Sequence, residues 1–143
     1  MKLELVTLTG TKLSTDIYEV IIPTTSGQIS VLPDHEPLVT ILEPGAMYVR
    51  YKKTDTDDQM EVFATFGGAV ETDGKIVTIL ADEAESGSEI VEAEAKAAYE
   101  RAKKQHDNAK DQVELEEAKK LLDRHATRLK VAGLRRRHHN KNR

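Results

Sequence analysis

Ile22-Pro23-Thr24-Thr25-Ser26-Gly27-Gln28-Ile29-Ser30-Val31-Leu32-Pro33-Asp34-His35-Glu36-Pro37-Leu38 is the stretch on which the fold turns. A glycine turn sits just before a short apolar run, and two prolines then bracket Asp34-His35-Glu36. Proline fixes φ and removes a backbone donor, so this reads as a rigid surface corner joining two strands.

The residues around it extend the β reading through position 85. Leu3-Leu5-Thr7 alternates, and Ile17-Tyr18-Glu19-Val20-Ile21-Ile22 is β-branched and is expected to end at Pro23. Val39-Thr40-Ile41-Leu42 stops at Glu43-Pro44-Gly45, with proline early in a turn, where it is favoured. Met47 to Tyr51 and Met60 to Phe66 alternate on either side of the polar run Lys53 to Asp58. Gly67-Gly68 interrupts a strand pattern, the mark of a bulge or a close backbone approach. Ala69-Val70-Glu71 and Lys75 to Leu80 flank Thr72-Asp73-Gly74, and Asp-Gly is the strongest short hairpin signal. Short strands at roughly ten-residue spacing predict an antiparallel sandwich or barrel.

After Glu85 the pattern becomes helical. Ser86-Gly87-Ser88 reads as a linker and helix start, with Glu89 in capping-box spacing from Ser86. The first helix is predicted from Ser88 to Gln105, with Ile90, Ala93, Ala97, Ala98 and Ala102 facing a partner. The second is predicted from Gln112 to Ala132, striped by Leu115, Ala118, Leu122, His125 or Ala126, and Leu129, with Gly133 as its stop. Positions 134–143 read as a basic, disordered tail. The fold class is therefore α+β: a sandwich over 1–85, an αα-hairpin over 86–133, and a tail. The hairpin seam is weak, because an alanine buries about one methyl, roughly 0.8 kcal/mol, against roughly 1.5–3 kcal/mol for a leucine. Laid end to end the two helices would span on the order of 60 Å.

Composition narrows the function. The 143 residues contain no cysteine, which excludes disulfides, thiolate metal sites and a cysteine nucleophile. No apolar run approaches membrane-spanning length, and the N-terminus is unlike a targeting peptide. Charge is divided: residues 1–86 carry a net −9 and residues 87–143 a net +5, with eight Lys or Arg and no acid from Arg124 onward. Halves of opposite sign attract each other or meet different partners. No phosphate-cradling glycine loop, dinucleotide fingerprint, metal-spaced histidine pair or nucleophile elbow appears, so no catalytic residue or metal ligand is assigned. Asp34, His35 and Glu36 are consecutive and do not face one another as an acid–base pair would. His138-His139 reads as a solvated run. The Arg135-Arg136-Arg137 cluster lacks the aromatic platform or recognition helix of specific nucleic-acid binding.

The opening run has the form P-T-x-x-G-x-x-x-x-L-P-x-H-x-P-L, and in this it resembles the epsilon subunit of F-type ATP synthases (delta in mitochondria). Leu42-Glu43-Pro44-Gly45, Phe66-Gly67-Gly68-Ala69-Val70-Glu71, Val77 to Glu85, Ala95-Lys96-Ala97-Ala98 and Arg128-Leu129-Lys130-Val131-Ala132 fall where that family carries similar runs. Ser30 departs from it, standing where many members have glycine. The resemblance implies a ten-stranded β-sandwich followed by two helices, and docking on the gamma subunit and the polar loops of the c-ring. By position, the loop at Ser26-Gly27-Gln28, with Gln28 its contact residue, meets the ring. The face around His35, Pro37 and Leu38 meets gamma, and from the residues alone His35 equally reads as hydrogen-bonding locally.

In the family's mode of action the hairpin lies closed or extends along gamma into the catalytic alpha/beta head. The basic residues Arg124, Arg128, Lys130, Arg135, Arg136 and Arg137 would there meet acidic surfaces and block hydrolysis. Some members also bind ATP through a first-helix motif Ile/Leu-Asp-x-x-Arg-Ala. Here that segment is Ile90-Val91-Glu92-Ala93-Glu94-Ala95, so Val91 replaces the aspartate and Glu94 the arginine, although Arg101, Arg124 and Arg128 match basic positions of such sites. A lost charge-assisted bond, worth roughly 1.5–3 kcal/mol, implies weak ATP binding or none, and thus no cofactor. The expected role is a non-catalytic rotor subunit, peripheral on the cytoplasmic face of the cell membrane. The rival is a sandwich binding module whose basic hairpin docks on an acidic protein or nucleic acid.

Overall fold

The computed structural model describes residues 1–141, with side chains through Arg137. Ten strands come first: β1 Lys2–Thr7, β2 Gly10–Asp16, β3 Glu19–Thr24, β4 Gly27–Val31, β5 Leu38–Leu42, β6 Gly45–Arg50, β7 Glu61–Thr65, β8 Gly68–Thr72, β9 Ile76–Ala81 and β10 Ala84–Ser86. They run in the order β10-β7-β6-β3-β5-β8-β9-β1-β2, with β4 also on β3. The two halves of this sheet, β4-β3-β6-β7-β10 and β5-β8-β9-β1-β2, join through the single bridge Thr24↔Leu42. They enclose one core of Leu3, Leu5, Val20, Ile22, Val31, Leu42, Met47, Val49, Phe63, Val70, Val77 and Ile79. This is the ten-stranded β-sandwich that the resemblance implies, one of the two forms the strand spacing predicts.

Local sequence explains most of it. In the β8–β9 hairpin Asp73 Oδ1 accepts from the amides of Lys75 (2.8 Å) and Ile76 (2.9 Å). Those two bonds hold the Asp73 carboxyl below its usual range. Gly74 turns at φ +92°, where a Cβ would stand 2.6 Å from the carbonyl oxygen of His35. Gly68 is the close approach the sequence suggests: at φ +139° its Cβ would lie 2.0 Å from the Leu80 carbonyl oxygen.

Three features differ from expectation. Pro23 does not end its strand. It pairs with Gln28 inside the β3–β4 hairpin, at the point where β3 leaves β6 and meets β5. Its carbonyl accepts from the Glu43 amide at 2.9 Å, and no partner there calls for the N–H it lacks. β2 and β10 are strands without an apolar alternation to announce them, being Gly-, Ser- and Thr-rich or very short. One pair is parallel, β1 with β9 from Lys2↔Ile76 to Val6↔Leu80, a pairing between chain segments too distant to read from local pattern.

The helices are α1 Glu92–Asp107 and α2 Gln112–Lys141. Ser86 is not a helix cap. It closes β10 and donates to Glu61 Oε1 at 3.1 Å, while Val91 takes the N-cap position without a side-chain bond. The buried alanines of α1 are Ala95, Ala98 and Ala102, whereas Ala93 and Ala97 are exposed. In an alanine-rich helix the apolar residues spread round the axis, so alanine positions alone do not select a face. On α2, Ala118, Val131 and Ala132 are buried and Leu115, Leu122, His125 and Leu129 half-buried, as the stripe predicts with His125 inside and Ala126 out. α2 continues past Gly133, which keeps a right-handed backbone, to Lys141, within the stretch expected to be a disordered tail, whose last two residues lie outside the described ones. Leucine and arginine are good helix formers, and cations favour a helix C-terminus. The side chains of His138 and His139 lie outside the described residues. The chain divides into two compact units at Ser86 and Gly87.

Candidate functional site: the exposed corner, turn and basic helix

The corner at Asp34-His35-Glu36 is held by backbone bonds. The Asp34 amide donates to the Gly74 carbonyl (2.9 Å) and the His35 amide to Leu32 (3.1 Å). Asp34 adopts φ +65°, a left-handed conformation that aspartate tolerates better than most residues. His35 Nδ1 lies 2.7 Å from the Glu36 carbonyl, so the imidazole has the local partner that one reading of the sequence gave it. Pro37 is exposed and Leu38 half-buried.

A second rigid projection is the β3–β4 turn. Thr24 Oγ1 donates to the Gly27 carbonyl (2.6 Å) and accepts from the Ser26 amide (3.2 Å), and Gly27 completes the turn at φ +101°. Thr25, Ser26, Gly27 and Gln28 are all exposed. The flank of the same hairpin is braced by Glu19, which accepts from Ser30 Oγ and, at 2.8 Å, from Arg50 Nε. Arg50 Nη2 reaches Asp57 Oδ1 at 2.6 Å. Burial would push the Glu19 carboxyl up, but the Ser30 and Arg50 bonds and the Arg50 charge outweigh it and leave the group below its ordinary 4.5. Glycine is therefore not needed at position 30: Ser30 supplies a donor to Glu19 instead.

In the helical unit, Ile90, Glu92, Ala132, Arg135 and Arg136 line a cavity of about 290 Å³. Glu92 Oε1 stands 3.2 Å from Arg136 Nη1. Arg135, Arg136 and Arg137 are exposed, Arg124 and Arg128 half-buried, and Arg101 exposed on α1. The predicted contact residues thus lie on three elements: the corner with His35, Pro37 and Leu38, the turn with Gln28, and α2 with its arginines. What the sequence reading missed is the exposed apolar pair Val39 and Ile41 on β5, which the same alternation that turns Leu42 inward turns outward. Among the described residues no helix is long and apolar enough to cross a membrane.

Comparison with known proteins adds four findings. The family model "ATP synthase, Delta/Epsilon chain, beta-sandwich domain" matches residues 1–87. The chloroplastic ATP synthase epsilon chain of Pelargonium hortorum is 36% identical over 133 residues, covering 92% of this chain and 96% of that protein. The ATP synthase epsilon chain of Herpetosiphon aurantiacus is 37% identical over 136 residues, covering 95% and 96%. A chain of the Euglena gracilis mitochondrial ATP synthase, from a structure of its OSCP, F1 and c-ring, superposes with a TM-score of 0.76 at 24% identity. It covers 91% of this chain and 79% of that one, a likeness of fold.

Proposed function

This chain belongs to the ATP synthase delta/epsilon family, and on that premise we propose that it is a non-catalytic central-stalk subunit that joins gamma to the c-ring and restrains ATP hydrolysis through α1 and α2. Family membership displaces the rival reading of a free-standing binding module. Support for the docking half comes from the corner and the β3–β4 turn, each exposed, the first fixed by backbone bonds and the second by the Thr24 hydroxyl. Preorganised contacts lose little entropy on binding. The turn carrying Gln28 meets the c-ring loops, and the corner with His35, Pro37 and Leu38 meets gamma. The protein is peripheral, held at the cytoplasmic face of the membrane only through the complex.

The regulatory half rests on one observation: an alanine-seamed pair of helices whose second member carries Arg135-Arg136-Arg137 near its C-terminal end. A thin seam separates at small cost, and an exposed basic helix suits the acidic surfaces of an alpha/beta head. ATP is not the latch in this reading. Glu94 stands where an arginine would bind phosphate, and Glu92 already occupies Arg136. Arg101, Arg124 and Arg128 then serve contact with the head rather than a nucleotide.

Hydrolysis by a reconstituted alpha/beta/gamma head, with the full chain or a version ending at Ser86, tests the proposal. Suppression by the full chain and release by the shortened one, with gamma binding retained in both, is the expected result. Equal hydrolysis with both bound would leave only the coupling role. Failure of either to bind gamma would overturn the assignment of partners.

A further inference from the structure

We propose that Asp73-Gly74 is a latent site of isoaspartate formation, held unreactive by the hydrogen bonds of the β8–β9 turn, and that rearrangement there unfastens the Asp34-His35-Glu36 corner. The inference concerns a covalent change within the sandwich and stands whether or not the corner meets gamma.

The chemistry is intramolecular. Asp73-Gly74 is the one Asp-Gly pair in the sequence, which has no Asn-Gly. Glycine carries no Cβ to hinder attack by its own nitrogen. The Gly74 nitrogen bonds to Cγ of the neutral Asp73 carboxyl, and the amide proton leaves with the carboxyl hydroxyl as water, which closes a succinimide. Water then adds at the Asp73 main-chain carbonyl carbon and breaks that carbon's bond to the Gly74 nitrogen. No atom is gained or lost overall. The backbone now runs through the former side-chain carbonyl and is longer by one methylene, about 1.5 Å.

The turn withholds both reacting groups. The Gly74 amide donates to Thr72 Oγ1 at 3.0 Å, and the same buried hydroxyl donates to the Ile76 carbonyl at 2.9 Å. Asp73 Oδ1 accepts from the Ile76 amide (2.9 Å) and the Lys75 amide (2.8 Å), which directs the carboxylate towards them. Those two bonds also hold the carboxyl below its usual range, so the neutral form that can lose water is scarce. Ring closure therefore waits for local openings in which the Thr72 bond breaks.

The consequence reaches the corner because Gly74 lies directly beneath it. The Gly74 carbonyl accepts from the Asp34 amide at 2.9 Å. A Cβ at Gly74 would stand 2.6 Å from the His35 carbonyl oxygen and 3.3 Å from Asp34 Cα. A contact that close leaves no room for an added methylene, so the Gly74 carbonyl moves off the Asp34 amide. Asp34, left-handed at φ +65°, then loses a bond that holds it there.

Storage of the full-length chain in warm neutral buffer, followed by peptide mapping for isoaspartate at position 73, tests this, with circular dichroism as a check of fold. The chain unfolded in guanidinium chloride should rearrange fastest and the folded chain slowest. Thr72→Val, close to threonine in shape, should speed the folded chain about tenfold by removing one hydrogen bond. Thr72→Ser keeps the hydroxyl and should match the unaltered chain. In aged Thr72→Val protein, hydrogen exchange should find the Asp34 amide unprotected in the isomerised fraction alone. If the unfolded chain forms no isoaspartate at position 73, the site is not reactive and the proposal falls. It falls equally if folded and unfolded chains rearrange at one rate, or if Thr72→Val is no faster than Thr72→Ser. If isomerised chains keep the Asp34 amide protected, the link to the corner is overturned.

Discussion

The two units of this molecule are held together by different amounts of the same force. The sandwich interlocks Leu3, Leu5, Ile22, Leu42, Met47, Phe63 and Ile79, side chains of four or more heavy atoms. Among the described residues the helical unit buries Ala95, Ala98, Ala102, Ala118 and Ala132 with the larger Ile90 and Val131, and leaves Leu115, Leu122 and Leu129 half-buried. Each leucine-sized group contributes roughly 1.5–3 kcal/mol on burial and each alanine methyl about 0.8, so the first unit is an anchor and the second a lever. The proposed role, in which the sandwich stays docked while the helices move, requires that inequality.

The largest expected effect comes from cutting into the anchor. Ile79→Ala should destabilise the sandwich by about 4 kcal/mol, read as a lowered urea midpoint, since a fully buried isoleucine leaves both lost transfer energy and a cavity. Gly68→Ala should cost about 3 kcal/mol in the same assay, because φ +139° is strained for alanine and its Cβ would meet the Leu80 carbonyl. In the lever, Ala98→Gly should cost about 2 kcal/mol, one part helix propensity and one part the buried methyl. Its signature is helical ellipticity lost at a lower temperature than the sandwich signal; a single shared transition would break the division into anchor and lever.

Two electrostatic predictions are smaller. The Glu19 carboxyl lies below its ordinary 4.5, so its contribution is complete above that pH and fades as pH falls through the lower folded value. Urea midpoints should therefore drop on acidification more steeply for the unaltered chain than for Glu19→Gln, and parallel curves would contradict the brace to Ser30 and Arg50. Removing Arg136 by alanine should shift helix melting by under about 0.5 kcal/mol, and less in high salt, because the pair with Glu92 is solvent-exposed.

The contrast was partly legible in the sequence. β-branched alternation, Asp73-Gly74 and Gly67-Gly68 each act locally, and each marks the strand, hairpin or close approach that the structure has. The change to an alanine-rich helical composition after Glu85 was equally plain. What local pattern could not supply is long-range. The parallel pairing of β1 with β9 joins segments about seventy residues apart. Pro23 is accommodated only because β3 changes partners there, and Gly133 is helical because α2 has enough strong formers beyond it. The corner and turn were found from proline and glycine spacing. The exposed apolar pair on β5 was not, since alternation shows that Val39 and Ile41 share a face without showing which face is outward.

Amide hydrogen exchange on the full chain most directly tests the division into anchor and lever. Amides of α1 and α2 should exchange through openings that leave those of β1, β8 and β9 protected, with the helices gaining little protection at higher pH or in ATP. Equal protection of helices and strands, lost together in one unfolding, would contradict it.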